Sequence, residues 1–129
     1  MVKILTATLG FLMMTCSQTL ANESYQAGDT FYCNESAVAF TNPDVNWKAA
    51  IGSPGVFRFN IYEDSAGGTH LTFGNSGYFA HTSMKVQTMS GLLTATAENS
   101  SFHLSNGRFT YAGANILYAV MRSGTCDKF

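Results

Sequence analysis

From residue 56 onward, apolar side chains recur at every second position, which is the period of a half-buried β-strand. In residues 56–62 (VFRFNIY), Phe57, Phe59 and Ile61 fall on one face and polar residues separate them. A turn rich in acid and glycine follows (EDSAGG), and the alternation resumes over residues 69–73. This pattern predicts a β-hairpin.

The same alternation continues to the end of the chain, interrupted by turns rich in glycine and asparagine. Asn106-Gly107 is the strongest hairpin signal, because both residue types tolerate the positive φ angles of a tight turn. Upstream, Asn34-Glu35-Ser36 is predicted to be a turn between two short strands. The other predicted strands are residues 30–33, 37–40, 78–88, 92–97, 102–104, 108–112 and 116–126.

One stretch, residues 42–52 (NPDVNWKAAIG), departs from the period of two. Asn42 suits a helix N-cap, Pro43 the first helical position and Gly52 a helix end. These residues predict one or two helical turns, in which Val45 or Trp47 would pack on the domain together with Ile51. The alternative is an ordered loop, because so short a helix depends on tertiary packing.

The count of about eight short antiparallel strands in meander order predicts an all-β fold, a small antiparallel β-barrel or a barrel-like sandwich. Its inward face is rich in large aromatic side chains, which would fill a barrel of this size, so a packed core is favoured over a ligand cavity. The predicted interior residues are Phe31, Val38, Phe40, Phe57, Phe59, Ile61, Leu71, Phe73, Met84, Val86, Phe102, Leu104, Phe109 and Tyr111.

The first residues have the pattern of a secretory signal peptide. Lys3 is followed by an apolar segment (ILTATLGFLMM) and then by small residues, which predicts cleavage after Ala21. We therefore divide the chain into a signal peptide, residues 1–21, and a single β-domain, residues 22–129, that is secreted or periplasmic. Acylation of Cys16 is the alternative, but Met13-Met14-Thr15 matches the lipoprotein pattern poorly.

Cleavage would remove one of the three cysteines and leave Cys33 and Cys126. In an oxidising compartment this pair predicts a disulfide, which would close the barrel by joining its first and last strands. Two distant cysteines without matched histidines do not make a metal site, so we predict no metal and no cofactor.

Composition and spacing argue against several other functions. The net charge of −1 includes no cluster of Lys and Arg, which argues against nucleic acid as a partner. No stretch is long and apolar enough for a transmembrane helix. His70, His81 and His103 lack carboxylates at ligand spacing, and no serine lies in a G-x-S-x-G motif. The adjacent Glu63 and Asp64 fit a solvated turn. We predict that the protein is not an enzyme.

The remaining candidates are surface residues. Arg58 and Tyr62 lie on the outer face of the clearest strand. Tyr78 and Phe79 directly follow Ser76-Gly77 in a glycine-rich turn, and one of these two aromatic residues must point away from the core. Exposed aromatic residues beside an arginine are typical of a binding patch. Ordinary cross-strand pairing is the alternative explanation.

The last predicted strand is apolar on both faces, which is the pattern of a strand covered on both sides. Between Ile116 and Met121 the chain would therefore pack a second surface, either residues 42–51 or a partner chain. A homo-oligomer formed through these residues is one of the two options.

The layout resembles that of small periplasmic lysozyme inhibitors of the membrane-bound c-type family, which are exported β-barrels with paired N- and C-terminal cysteines. Their inhibitory surface uses a Ser-Gly-x-x-Tyr motif and a Lys-Gly motif. Ser76-Gly77-Tyr78 matches the first motif in part, with the tyrosine too early, and the second is absent. The resemblance covers layout and not sequence, and it implies a hydrolase inhibitor as one function.

We therefore expect an exported, non-catalytic binding module that uses loops or an outer sheet face, with a protein or an envelope component as its partner. Inhibition of an extracellular hydrolase such as lysozyme is the first alternative, and carriage of a small ligand is the second.

Overall fold

The computed structural model describes residues 24–129. The predicted signal peptide and Cys16 lie outside these residues. The chain forms a closed antiparallel barrel of eight strands, to which β2 is added beside β1. The strands are β1 (Thr30–Thr41), β2 (Ala50–Ile51), β3 (Val56–Glu63), β4 (Thr69–Phe73), β5 (Ser83–Thr88), β6 (Leu93–Ala97), β7 (Ser100–Ser105), β8 (Arg108–Ala114) and β9 (Ala119–Lys128).

The barrel closes because β1 pairs on both of its edges. On one edge it pairs with β9 over its whole length, from Phe31↔Lys128 to Thr41↔Ala119. On the other edge its first half pairs with β3 and its second half with β2. Closure leaves the barrel strands without free edges, where an open sheet would expose unpaired N–H and C=O groups.

The turn predicted at Asn34-Glu35-Ser36 is wrong, because β1 is one continuous strand with a register shift between Glu35 and Ala37. This shift is a β-bulge, in which Ser36 is the extra residue. The bulge also resets the alternation of side chains. Phe31, Cys33 and Glu35 face the interior before it, and Val38 and Phe40 face the interior after it.

The interior is packed with aromatic rings. Phe59 lies at its centre, with ring centroids 4.9 Å from Phe31, 5.4 Å from Phe102 and 5.7 Å from Phe73. This packing agrees with the filled core expected from the sequence. All the predicted interior residues are buried except Phe40 and Val86, which are partly buried and pack against the core. The core also contains Tyr25, Cys33, Phe79, Leu93, Ala95, Val120 and Cys126.

Between β1 and β2 the chain forms a strap, residues 42–49. It contains a single 3-10 turn, Pro43–Val45, in which the Asn42 side chain accepts a hydrogen bond from the Val45 N–H at 3.2 Å. The predicted helix is therefore present only as this turn, and Gly52 does not end it. Residues 50 and 51 pair with β1 instead, because a helix this short has too few hydrogen bonds to compete. The predicted packing is also wrong, since Trp47 and Ile51 are exposed.

Two hairpins confirm their sequence signals. In the β7–β8 turn, Asn106 and Gly107 both have positive φ, at 50° and 69°. In the β3–β4 turn, Asp64 accepts hydrogen bonds from the N–H groups of Ala66 and Gly68, and it lies 2.7 Å from His70 Nε2. The Gly68 N–H, and after it His70, lower the pKa of the Asp64 carboxyl below its usual range. Asp64 thus has a structural role in the hairpin.

The last strand begins later than predicted, at Ala119. Ile116 and Leu117 lie in the β8–β9 loop, where the Asn115 side chain accepts hydrogen bonds from the Leu117 and Tyr118 N–H groups. Both apolar residues are exposed, and Met121 on the outer face of β9 is 66% exposed. In this chain the strand is therefore covered on its inner face and open on its outer face.

Each end of the barrel is closed by a different set of connections. We call the end at which β1 finishes the upper end. It carries the strap, the β4–β5 loop, the β6–β7 turn and the β8–β9 loop. At the lower end, Tyr25 is buried beside Phe31, and Lys128 forms an ion pair with the buried Asp29 at 2.8 Å.

The predicted disulfide joins Cys33 and Cys126, which are direct partners in the β1–β9 register and lie 93 positions apart. Both cysteines are buried in the core. The bond therefore fixes the pair of strands that closes the barrel. No helix within residues 24–129 is long and apolar enough to cross a membrane.

Replacing both cysteines, Cys33→Ser with Cys126→Ser, should lower the free energy of unfolding by about 2–4 kcal/mol, because the unfolded chain regains the freedom of a long loop. Thermal unfolding under oxidising conditions measures the loss. A reducing agent should lower the melting temperature of the wild type and leave that of the double variant unchanged. Equal melting temperatures of the wild type and the double variant under oxidising conditions would refute a stabilising disulfide.

Candidate functional site

The residues predicted as a binding patch are divided between β3 and the β4–β5 loop. Arg58 lies on the outer face of β3, where its side chain packs against Gly74. Tyr62 is at the lower end of the same strand, with its ring stacked on His70 at a centroid distance of 5.3 Å. Ser76 and Tyr78 are exposed, and Phe79 belongs to the core. The prediction that one of Tyr78 and Phe79 faces away from the core is correct, and Phe79 is not a surface residue.

The β4–β5 loop, residues 74–82, folds over the upper end of the barrel. Gly77 has a φ of +81°, and a Cβ atom there would lie 2.8 Å from the Val56 carbonyl oxygen, so only glycine suits this close approach. The turn directs Phe79 into the barrel. Its ring lies 4.7 Å from Phe57 and 4.8 Å from Tyr111, between ring centroids. The loop therefore closes the aromatic core from above.

Above Phe79 the interior becomes polar. Arg122 projects inward from β9, and its Nη1 lies 2.8 Å and 2.9 Å from the two carboxylate oxygens of Glu35 on β1. The Glu35 side chain is only 2% exposed and that of Arg122 14%. Glu35 also accepts a hydrogen bond from the Gly55 N–H at 2.9 Å. A buried ion pair of this kind is tolerated when further hydrogen bonds satisfy the carboxylate, as they do here.

Tyr78 covers the guanidinium of this ion pair. The Cζ of Arg122 is 3.7 Å from the centre of the Tyr78 ring, which is a cation–π contact. The edge of Tyr78 meets Tyr111 at a centroid distance of 5.8 Å. Burial raises the pKa of the Tyr78 hydroxyl, and interactions with the hydroxyls of Tyr111 and Tyr118 raise it further. Tyr78 is therefore a neutral phenol at physiological pH.

These residues border a cavity that opens at the upper end and that we call the mouth. Its volume is about 310 Å³, at the lower end of the range of small-molecule sites. Arg122 forms part of the wall of the mouth, so the ion pair reaches this wall. The Nε atom of Arg122 is buried without a hydrogen-bond partner. The mouth is lined by Phe40, Asn42, Tyr78, Tyr118, Val120 and Arg122.

A second concavity lies beside the mouth and shares Phe40 and Val120 with it. We call it the groove. It is open, has a volume of about 700 Å³, and is lined by parts of β1, β7, β8, β9 and the strap, with no charged residue among them. Its outward-facing lining includes four alanines, at positions 39, 112, 114 and 119, whose small side chains leave the backbone accessible. Its two large exposed side chains are Trp47 and Met121.

Trp47 stands at the groove on an unusual backbone. Asn46 and Trp47 both have left-handed φ angles, of 52° and 59°, which are unfavourable for a tryptophan. The Trp47 N–H donates to the Asn42 carbonyl at 3.0 Å, and the Lys48 N–H donates to the Val45 carbonyl at 3.0 Å. These bonds hold the strap in place while the indole stays 55% exposed.

The histidines of the described part of the chain do not form a catalytic or metal-binding cluster. His70 is engaged with Asp64, and His81 and His103 are exposed. Within residues 24–129 there is no group of three His, Cys, Asp or Glu side chains that could hold a metal ion.

Comparison with known proteins gave no match: no protein-family model, no curated protein and no solved structure is significantly similar to this chain. The site must therefore be interpreted from its own chemistry.

Sequence reasoning did not identify the Glu35–Arg122 pair or Trp47 as part of a site. The sequence pattern predicts a turn at Glu35, and it places Arg122 in a strand that is apolar on both faces. One signal was available, namely that Arg122 is the single charged residue within residues 116–126. A lone charge in an apolar strand calls for a buried partner.

Glu35→Gln should lower the free energy of unfolding by about 3 kcal/mol, because it leaves the buried Arg122 charge without its counter-ion. Chemical denaturation measures the change. Glu63→Gln, at the exposed end of β3, is the matched control and should stay within about 0.5 kcal/mol of the wild type. Adding Arg122→Met to Glu35→Gln should recover most of the loss. Equal effects of the two glutamine variants would contradict a structural ion pair.

The raised pKa of Tyr78 predicts a loss of stability at high pH. The folded state holds this proton more tightly than the unfolded chain, so the contribution is full below the ordinary pKa of 10.0 and falls as pH rises above it. Between about pH 9 and about pH 11, denaturation midpoints should fall less steeply for Tyr78→Phe than for the wild type. Tyr62→Phe is the control and should follow the wild type. Parallel slopes for all three proteins would rule out this role for Tyr78.

Proposed function

We propose that this protein is an exported, non-catalytic binding module that holds an apolar segment of a protein partner in the groove. The observation that carries the proposal is Trp47, the sole tryptophan, which is exposed at the groove on a left-handed backbone. Unfavourable backbone conformations persist where the surrounding structure enforces them, and they cluster at ligand-binding sites. Burial of the indole by a partner would offset this cost.

The lining of the groove supports a protein as the partner. Tryptophan is enriched among the residues that dominate binding energy at protein interfaces, and methionine adapts to apolar surfaces of varied shape. The alanine floor allows a partner chain to approach closely. The lack of charge in the lining means that an apolar segment loses little favourable solvation of polar groups when it binds.

Export is supported by two independent features. The Cys33–Cys126 disulfide is compatible with an oxidising compartment, where such bonds persist. The first residues have the charge and hydropathy pattern of a signal peptide. Secretion and a periplasmic location are both consistent with these features.

The alternatives have less support. A hydrolase inhibitor that uses Ser76-Gly77-Tyr78 would need this tripeptide to project. All three residues are exposed, but the Tyr78 ring lies against the Arg122 guanidinium. A carrier of the lipocalin type would need an open interior, and aromatic rings fill the interior of this barrel. A packed β-barrel with its histidines exposed or engaged in a hairpin also favours a non-catalytic role.

Trp47→Gly should abolish binding without loss of stability, because glycine adopts the left-handed conformation that costs an L-residue about 1–2 kcal/mol. Met121→Glu should also abolish binding, by placing a charge in the groove. Ile116→Glu is the matched control, since Ile116 is exposed at the same end but does not line the groove. The measurements are thermal unfolding and affinity capture, with cross-linking, from the envelope fraction of the producing cells.

The expected result is a protein that the wild type and Ile116→Glu both capture and that the two groove variants do not. Cross-links should join this protein to the strap or to β9. Capture of the same proteins by all four forms would overturn the proposal, and so would a clear loss of stability in Trp47→Gly.

A further inference from the structure

The mouth and the groove differ in their chemistry. The groove is apolar and uncharged, whereas the mouth brings a guanidinium, an amide and two phenol hydroxyls to one opening beside Phe40 and Val120. Sites for small molecules have this composition, with apolar and aromatic walls and a few fixed polar groups. We propose that the mouth binds one ring of an uncharged sugar.

The charge balance of the mouth selects an uncharged ligand. The single cation in its lining, Arg122, already has both Glu35 carboxylate oxygens within 2.9 Å of Nη1. An anionic ligand would meet a guanidinium whose charge the buried Glu35 carboxylate already balances. The remaining N–H groups of the guanidinium can still donate to a neutral oxygen.

The hydroxyl groups of the mouth match those of a sugar. Each phenol hydroxyl both donates and accepts, as each sugar hydroxyl does. The Asn42 side chain adds an amide, of which the oxygen already accepts from Val45. A ligand with several hydroxyl groups along its edge can therefore exchange hydrogen bonds with both tyrosines and the amide.

The shape of the mouth favours a puckered ring over a flat aromatic one. One face of Tyr78 is covered by Arg122, and its ring meets its aromatic neighbours Phe79 and Tyr111 at 90° and 64°. A planar base or indole stacks best between two parallel rings. In the described structure these contacts do not form such a pair of rings. The C–H groups of a sugar ring can instead pack on Phe40 and Val120. A volume of about 310 Å³ suits one such ring.

The proposal does not require a partner in the groove, although the two concavities share Phe40 and Val120, and it can be tested separately. The probes are glucose, galactose, mannose and N-acetylglucosamine, titrated into the protein labelled with ¹⁵N while amide shifts are recorded. At least one sugar should give saturable shifts at Asn42, Tyr118 and Arg122. Tyr118→Phe, which removes one of the two phenol hydroxyls, should weaken binding about tenfold. Tyr62→Phe, at the lower end, and the groove variant Met121→Glu should bind as the wild type does.

Benzoate and indole are the comparison ligands. Saturable shifts at the mouth with either of these, and none with any sugar, would overturn the proposal in favour of an anionic or planar ligand. Sugar binding that Tyr118→Phe leaves unchanged, or shifts that map outside the mouth, would overturn it as well. Absence of saturable shifts with all four sugars would also refute it. Melting temperatures of the variants within a few degrees of the wild type confirm that the fold is intact.

Discussion

The pairing of β1 with β9 is the constraint on which the rest of the structure depends. It joins the two ends of the chain, closes the barrel and places the two cysteines opposite each other. It also sets Arg122 and Glu35 within reach across 87 positions of sequence. Because these contacts are so distant in sequence, folding must close a long loop before it gains them, and such topologies fold slowly. The disulfide preserves the closed state once it has formed.

The interior is divided between two kinds of chemistry. Aromatic rings fill it up to Phe79 and Tyr111, and a buried ion pair with a cation–π contact lies above them. An apolar core of similar volume would often be as stable as a buried ion pair. The ion pair and the exposed Trp47 lie at the same end of the molecule, and both are costly for a domain that only has to fold. Their location together is the reason for placing function at the upper end.

Sequence reasoning predicted what depends on local patterns. The alternation of Phe57, Phe59 and Ile61 identified a half-buried strand, and Asn106-Gly107 identified a hairpin, because each signal is contained within a few residues. The disulfide followed from the small number of cysteines. The candidate site could not be predicted in this way. The Glu35–Arg122 contact depends on the register of two distant strands, and the exposure of Trp47 depends on the competition between helix and strand pairing in the strap. The sequence also predicts that one of Tyr78 and Phe79 faces outward but not which one, because the direction of the two rings depends on how the preceding turn folds over the barrel.

The bulge at Ser36 has a consequence for how this barrel can change over evolution. A strand shortened or lengthened by one residue exchanges its inner and outer faces beyond that point. Ser36 is an exception, because without it Glu35, Ala37 and Val38 would pair in order with Gly124, Ser123 and Arg122. Val38 and Phe40 would then still face the interior. Single-residue deletions should therefore be tolerated at this bulge, as in the loops at either end, and excluded from the rest of β1. The bulge is thus a position at which the length of β1 can change while its inner and outer surfaces stay the same.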